Sequence, residues 1–212
     1  MPHNCPLCDN QGNLFFQNDK HTFHECTNCK GIFRDRQQLL DLNAERARYL
    51  THISHINDSG YYKFVSPIIE EVKNHFSKGI SGLDYGCGHT PVLSEHLKKE
   101  HYKMTVYDPV FFKEASVLKK KYNFIVCCEV MEHFYDPSFE FKQLYELLRP
   151  NGKLICKTHP YENKIAFEEW YYKNDPSHVF IYQVETLIWI KNHFQFNDVK
   201  IDGRLITFSK YA

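Results

Sequence analysis

Residues 82–91, with the sequence GLDYGCGHTP, combine the side-chain types and spacing expected of a ligand-binding turn. A short apolar run ends in Asp84, and Gly86 and Gly88 follow it before Pro91, which suits the first turn of a helix. Glycines at the end of a strand let the main chain bend sharply and approach a ligand closely. Pro91 stands where a dinucleotide fingerprint has its third glycine, so a ligand without a pyrophosphate is favoured over NAD or FAD.

Four cysteines near the N-terminus form two Cys-x-x-Cys pairs, Cys5 with Cys8 and Cys26 with Cys29. Each pair can place two thiolates on one side of a tight turn, and two such turns complete a tetrahedron around zinc. About thirty residues bury too little surface to fold alone, so a bound metal would supply the missing stability. The layout, with two short predicted strands between the pairs, resembles a zinc ribbon, and we predict structural Zn²⁺ on these four cysteines.

Two alternatives remain open for this module. A histidine, His24 or His3, would replace one cysteine as a ligand, or the metal would be iron in a rubredoxin-like site. A closed four-cysteine site has no position for substrate, which favours a scaffold or a substrate lid. Lys20, Lys30 and Arg34 would instead let the ribbon contact RNA, although they form only a thin positive patch.

Composition limits the possible partners. The 26 basic residues balance the 26 acidic residues, so no overall field attracts nucleic acid or an anionic membrane. No apolar run approaches the roughly 20 residues that span a bilayer, and the first residues do not have the pattern of a secretory signal. The remaining cysteines lie in or beside predicted strands and are expected to be buried and reduced. We therefore expect a soluble, cytoplasmic protein with no membrane contact.

Three further segments follow the glycine turn in an informative order. Residues 103–108 predict a strand that ends in Asp108, about 20 residues after the turn, where related folds place an acid on ribose hydroxyls. Residues 122–133 predict the next buried strand and its loop, and residues 147–155 predict a helix end, a turn and another strand. The stretch between Asp108 and Tyr122 contains no clear strand.

These motifs, in this order, resemble the class I S-adenosylmethionine-dependent methyltransferases over roughly residues 61–212. The resemblance implies S-adenosylmethionine as cofactor. Asp84 and the N–H groups around Gly86 and Gly88 would hold its amino-acid end, and Asp108 would bind its ribose. Cys128 or Glu129, at the carboxyl end of the next strand, would face the same crevice.

The acceptor is expected on the side of the loop that follows the strand near residue 155. His159 lies in that loop, and His178 lies in an aromatic-rich insertion over residues 170–182. Because an unperturbed histidine has a pKa near 6.5, both are candidate general bases or substrate contacts. The alternative is that His178 hydrogen-bonds Asp175 or a backbone carbonyl and only stiffens the insertion.

The complete prediction is an α/β protein with a Rossmann-like, seven-stranded methyltransferase sheet, helices on both faces and a small zinc ribbon in front. We divide the chain into a ribbon (1–34), a helical linker (35–59) and a methyltransferase domain (60–212). The predicted activity is methyl transfer to a small or medium-sized metabolite. The alternatives are an RNA methyltransferase that binds RNA through the ribbon and a non-catalytic S-adenosylmethionine-binding protein. The oligomeric state stays open.

Overall fold

The computed structural model describes residues 3–50 and 59–212, which form two sheets and five α-helices. The larger sheet has six strands in the order β5-β4-β6-β7-β10-β9. Its strands, in chain order, are β4 (Ser81–Tyr85), β5 (Lys103–Tyr107), β6 (Tyr122–Cys128), β7 (Leu148–Lys157), β9 (Asp198–Asp202) and β10 (Leu205–Ser209). Strands β4 to β7 run parallel, whereas β10 is antiparallel to both β7 and β9. The mostly parallel sheet and the closing hairpin are therefore confirmed.

The predicted strand number was too high by one for this sheet among the described residues. Between Asp108 and Tyr122, where the sequence shows no clear strand, the chain makes a bridge between Asp108 and Phe112 and then a short 3-10 turn over Ala115–Lys119. Charged residues crowd this stretch, notably Lys119, Lys120 and Lys121. It therefore has too few apolar side chains at alternate positions to form a buried parallel strand.

Helices cover both faces of this sheet, as expected. The helices, in chain order, are α1 (Leu42–Leu50), α2 (Ser59–His75), α3 (Val92–Lys99), α4 (Pro137–Leu147) and α5 (Val184–His193). Along β6 the side chains alternate: Phe124 and Val126 pack with α2 and α3, whereas Ile125 and Cys127 pack in the cluster that includes α4 and α5. None of the described helices is both long enough and apolar enough to span a bilayer.

The second sheet joins the N-terminal ribbon to a segment near residue 180. It contains β1 (Gly12–Gln17), β2 (Thr22–Cys26) and β3 (Ile32–Arg34), and β3 also pairs with the two-residue strand β8 (Phe180–Ile181). Strand β8 comes from the aromatic insertion of the methyltransferase region. The ribbon is therefore built into the fold through a strand that its own sequence does not supply.

The predicted linker over 35–59 is partly described. A 3-10 turn over Arg36–Gln38 precedes α1, and the hydroxyl of Tyr49 donates to the Glu45 carboxylate at 2.6 Å. His52 and His55, which the sequence places in this linker, lie outside the described residues.

Candidate functional site

The glycine turn lies at the carboxyl end of β4, as predicted. Gly86 and Gly88 have φ values of +77° and +66°, which favour glycine because it has no Cβ. A Cβ on Gly86 would lie 2.5 Å from a methyl group of Val130, whereas a Cβ on Gly88 would meet no atom within 4 Å. Gly86 is thus needed for packing, and Gly88 borders open space that a ligand can enter.

Asp108 connects the end of β5 to this turn. Its Oδ2 accepts the N–H of Gly88 at 2.9 Å, and its Oδ1 accepts the N–H groups of Val110 at 2.8 Å and Phe111 at 3.0 Å. The carboxylate is 7% exposed and fixed in place. Because each carboxylate oxygen has two lone pairs, Oδ2 can still accept a hydrogen bond from a hydroxyl group of a bound ligand.

Asp84 lies below the turn, at the penultimate position of β4. The hydroxyl of Ser94 donates to its Oδ2 at 2.9 Å, and burial raises the pKa of this carboxyl to about 7. A cationic group that bound beside it would favour the ionised form. The position therefore suits a ligand ammonium.

Cys128 and Glu129 end β6 at the same edge of the sheet. Burial raises the pKa of the Cys128 thiol well above its usual value, so this side chain remains a neutral thiol. Glu129 has a left-handed backbone, with φ of +53°, and its Oε2 accepts from Arg204 at 2.6 Å and lies 3.3 Å from the Tyr172 hydroxyl oxygen. Its Oε1 is shielded from solvent and has no hydrogen-bond partner in the part of the chain that the structure describes.

Glu132, in the loop after β6, also belongs to the candidate site, although the sequence assigned it no role. Its side chain is fully buried, the Tyr172 hydroxyl donates to Oε1, and Oε2 has no hydrogen-bond partner among residues 3–50 and 59–212. Burial raises the pKa of the Glu132 carboxyl to about 7. The pKa of the Glu129 carboxyl is also raised to about 7, first by burial and then by the nearby Glu132 carboxylate. The spacing Glu-x-x-Glu-His in the loop was the available sequence signal.

Two histidines lie beside Glu132. His133 Nδ1 lies 2.8 Å from the Ser177 carbonyl oxygen, and His178 Nδ1 lies 2.7 Å from the Tyr172 carbonyl oxygen. Burial lowers the pKa of His178 to about 4, so the ring is neutral at physiological pH. Of the two partners that we considered for His178, its ring contacts a backbone carbonyl and not the Asp175 carboxylate.

His159 lies two residues beyond β7, on the wall made by the aromatic insertion. Its Nδ1 lies 3.3 Å from the Tyr171 hydroxyl, and its ring also packs near Trp170 and Tyr172. Burial, with Arg204 second, lowers the pKa of His159, so a neutral ring that can accept a proton is favoured. His159 and His178 both contact Tyr172, at ring-centre distances of 5.5 and 4.0 Å.

The ribbon holds this insertion through Arg34, the last residue of β3. Arg34 is 3% exposed, and its guanidinium donates to the carbonyl oxygens of Lys173, Asp175 and His178 at 2.9–3.2 Å. Beside it an apolar cluster joins the ribbon's Phe23 and Ile32 to aromatic residues of the insertion. The sequence suggests that Arg34 belongs to a positive patch, but the structure buries it against the aromatic insertion.

The four predicted zinc ligands converge. One ligand atom from each of Cys5, Cys8, Cys26 and Cys29 lies within 4.8 Å of the others, and the Cys5–Cys29 and Cys8–Cys26 sulfur pairs are 3.5 and 3.3 Å apart. A zinc–sulfur bond of about 2.3 Å places sulfurs of a tetrahedral site roughly 3.8 Å apart. Burial raises the pKa of the Cys26 thiol to about 11, and a bound cation would favour its thiolate. The four-cysteine set fits a structural zinc ion.

Comparison with protein families agrees with both parts of this description. Residues 58–201 match a family model described as a methyltransferase domain, and residues 4–45 match one described as a transcription factor zinc-finger. The first match covers more than half of the chain. The chain therefore belongs to the methyltransferase-domain family, and it is an S-adenosylmethionine-dependent methyltransferase with an N-terminal zinc ribbon. No curated protein matches its sequence.

Solved structures share the fold at low sequence identity. One is 1,6-didemethyltoxoflavin-N1-methyltransferase of Burkholderia thailandensis, with bound 1,6-didemethyltoxoflavin and S-adenosylhomocysteine; it has a TM-score of 0.55 and 13% identity, over 94% of this chain and 100% of that one. Another is an S-adenosylmethionine-dependent methyltransferase from Archaeoglobus fulgidus, with a TM-score of 0.54 and 18% identity, over 70% of this chain and 94% of that one.

A third similar structure is phosphoethanolamine N-methyltransferase 2 of Haemonchus contortus, in complex with S-adenosyl-L-methionine. It has a TM-score of 0.55 and 14% identity, over 79% of this chain but only 44% of that one. The chain thus spans the full length of the Burkholderia thailandensis enzyme and less than half of the Haemonchus contortus enzyme.

Proposed function

We propose that this methyltransferase acts on a small or medium-sized metabolite, and that the acceptor binds between the ends of β6 and β7 and the aromatic insertion. The observation that carries the proposal is the open space at Gly88, beside two buried carboxylates at the carboxyl ends of parallel strands. This is where open α/β sheets bind their ligands. Similar folds that bind small molecules, such as 1,6-didemethyltoxoflavin-N1-methyltransferase with its bound 1,6-didemethyltoxoflavin, support the same acceptor class.

The proposed cofactor contacts follow from the turn. Asp84 faces the ammonium of the methionine part, the backbone at Gly86 and Gly88 lies along it, and Asp108 accepts the ribose hydroxyl groups. Cys128 and Glu129 border the crevice on the β6 side. When bound, S-adenosylmethionine supplies a methyl group on a positively charged sulfur atom.

The acceptor is held by the insertion and the β7 loop. His159, neutral and next to the Tyr171 hydroxyl, is placed to accept a proton from the acceptor. His178 is a weaker base because of its burial, and it contacts the acceptor side of the site through Tyr172. Trp170 and Tyr172, both nearly buried, exclude water from this side.

A matched pair of glycine variants tests the cofactor site. Gly79 and Gly88 both have positive φ, and a Cβ on either would meet no atom within 4 Å. Gly79, however, precedes the amino end of β4, whereas Gly88 follows its carboxyl end. We expect Gly88→Ala to weaken S-adenosylhomocysteine binding at least tenfold in calorimetry, because the added methyl group occupies ligand space. Gly79→Ala carries a similar backbone cost, about 1 kcal/mol, and should leave the affinity unchanged.

The acceptor class is tested with a labelled methyl group. The protein, with labelled S-adenosylmethionine, is incubated with metabolite, RNA and protein fractions of a cell extract. Label in the metabolite fraction is the expected result. Label only in RNA would favour the RNA alternative, and cofactor binding without transfer to any fraction would favour the non-catalytic one.

A further inference from the structure

The cluster of Glu132, His133 and His178 lies apart from the four cysteines and has the donor atoms of a metal site. One ligand atom from each residue lies within 4.8 Å of the other two. Two ligands of one ion, each bonded at about 2.0–2.2 Å, lie at most roughly 4.4 Å apart, so small side-chain rotations complete the set. Glu132 is fully buried, and its Oε2 has no hydrogen-bond partner among the described residues.

The backbone already orients both imidazoles. Because the Nδ1 atoms of His133 and His178 face carbonyl oxygens at 2.8 and 2.7 Å, each neutral ring carries its proton on Nδ1 and its lone pair on Nε2. Metal-binding histidines are commonly fixed in this way by a carbonyl on the second nitrogen. The N–H of Val179 also donates to the Glu132 carbonyl at 2.9 Å, which ties the loop after β6 to the insertion.

The surroundings supply a second carboxylate and an approach for substrate. Glu129, three residues before Glu132, pairs its Oε2 with Arg204, and its solvent-shielded Oε1 has no hydrogen bond among the described residues. The next residue, Val130, packs over Gly86 of the cofactor turn. The cluster is therefore located between the turn and the aromatic wall, on the acceptor side.

We propose that Glu132, His133 and His178 bind a divalent first-row transition ion that holds a hydroxyl oxygen of the acceptor. Two imidazoles with one carboxylate suit ions such as Mn²⁺ or Fe²⁺, whereas thiolates favour zinc. The role of the ion in transfer rests on the proposed function, but its binding does not.

The proposal makes the reaction an O-methylation. The acceptor oxygen, held by the ion, loses its proton to His159 and forms a bond to the methyl carbon. The bond between that carbon and the sulfonium sulfur breaks, its electron pair stays on sulfur, and S-adenosylhomocysteine leaves. The bound cation lowers the pKa of the acceptor hydroxyl, so that a weakly basic histidine suffices.

The test uses the full chain with zinc in its ribbon and Mn²⁺ as the probe. Loss of the free Mn²⁺ signal in electron paramagnetic resonance should show one Mn²⁺ bound per chain, and pulsed measurements should show coupling to histidine nitrogen. Glu132→Gln and His178→Gln should weaken Mn²⁺ binding at least tenfold. His193→Gln, an exposed histidine on α5, is the matched control and should leave binding unchanged.

Binding of S-adenosylhomocysteine, measured in the same samples, reports folding and separates the two proposals. We expect its affinity to change less than threefold in the cluster variants. Absence of Mn²⁺ binding by wild type, binding without nitrogen coupling, or unchanged Mn²⁺ affinity in both folded variants would overturn the metal site and leave the methyltransferase proposal intact. If one variant fails to fold, the other decides, because His3, His24 and Asp35 form a second group of possible ligands and nitrogen coupling alone does not separate the two.

Discussion

The glycine turn and the aromatic wall, which we propose as the cofactor and acceptor sides of one site, are built differently. The turn is made by residues close in sequence at the ends of neighbouring strands, and its main contacts are backbone N–H groups on Asp108. The wall is made by the insertion near residues 170–182, and Arg34, more than 130 residues away, clamps it. We therefore expect that perturbing the ribbon separates cofactor binding from methyl transfer.

Removal of zinc should separate cofactor binding from methyl transfer more strongly than any other change. In Cys26→Ser/Cys29→Ser, two of four ligands are lost, and structural zinc in small modules contributes on the order of 10 kcal/mol of binding free energy to folding. We expect amides of residues 12–34 and of the insertion to lose protection from hydrogen exchange, and methyl transfer to be abolished. Affinity for S-adenosylhomocysteine should fall less than tenfold.

Wild type treated with a chelator and then resupplied with zinc is the control for this variant, because recovery would show that the metal causes the effect. A metal-free chain whose ribbon amides stay protected would contradict the structural role of zinc.

Arg34→Ala should give the next largest effect, and it is confined to the clamp. The variant leaves three carbonyl oxygens of the insertion without their charged donor, which costs roughly 3 kcal/mol of unfolding free energy. Urea denaturation measures this cost, and hydrogen exchange should increase in the insertion but not around residues 84–88. Arg36→Ala, at an exposed arginine two residues away, should be neutral. Equal exchange in both variants would mean that the wall holds without the clamp.

The same comparison explains what the sequence could predict. The cofactor turn and the four cysteines were predictable because glycine, an acid and paired thiols at short spacing each have a local physical meaning. The chain brings both sets together where they were expected: Gly88 meets Asp108, and the four thiols converge. The mostly parallel sheet was implied by the resemblance to class I methyltransferases that these motifs carry.

The wall was not predictable in the same way. Strand β8 has two residues, and its pairing with β3 joins positions about 150 residues apart, which leaves no periodic signal. Arg34 carries a charge that suggests an exposed patch, and only the tertiary structure supplies the carbonyl oxygens that justify its burial. Glu132 becomes a candidate metal ligand only because the fold places it beside His178, which lies in the distant insertion.

The pH dependence of Asp84 should test the cofactor side alone. Because burial raises its pKa from the usual 3.8 to about 7, the folded carboxyl keeps its proton between these values while the unfolded one ionises. The stability from this group is complete below about pH 4 and lost as pH rises to about 7. Asp84→Asn should remove that dependence, so its unfolding free energy relative to wild type should rise across this range by about 4 kcal/mol.

Ligand binding should show the opposite trend at the same residue. If Asp84 faces the ligand ammonium, the ionised carboxylate binds it better, so wild-type affinity for S-adenosylhomocysteine should increase as pH rises from 6 to 8, and Asp84→Asn should show no such increase. Asp198→Asn, an exposed carboxylate on β9, is the control and should behave as wild type in both measurements. A wild-type affinity that does not vary over this range would place the ammonium away from Asp84, and the cofactor would then be held by the backbone turn and Asp108 alone.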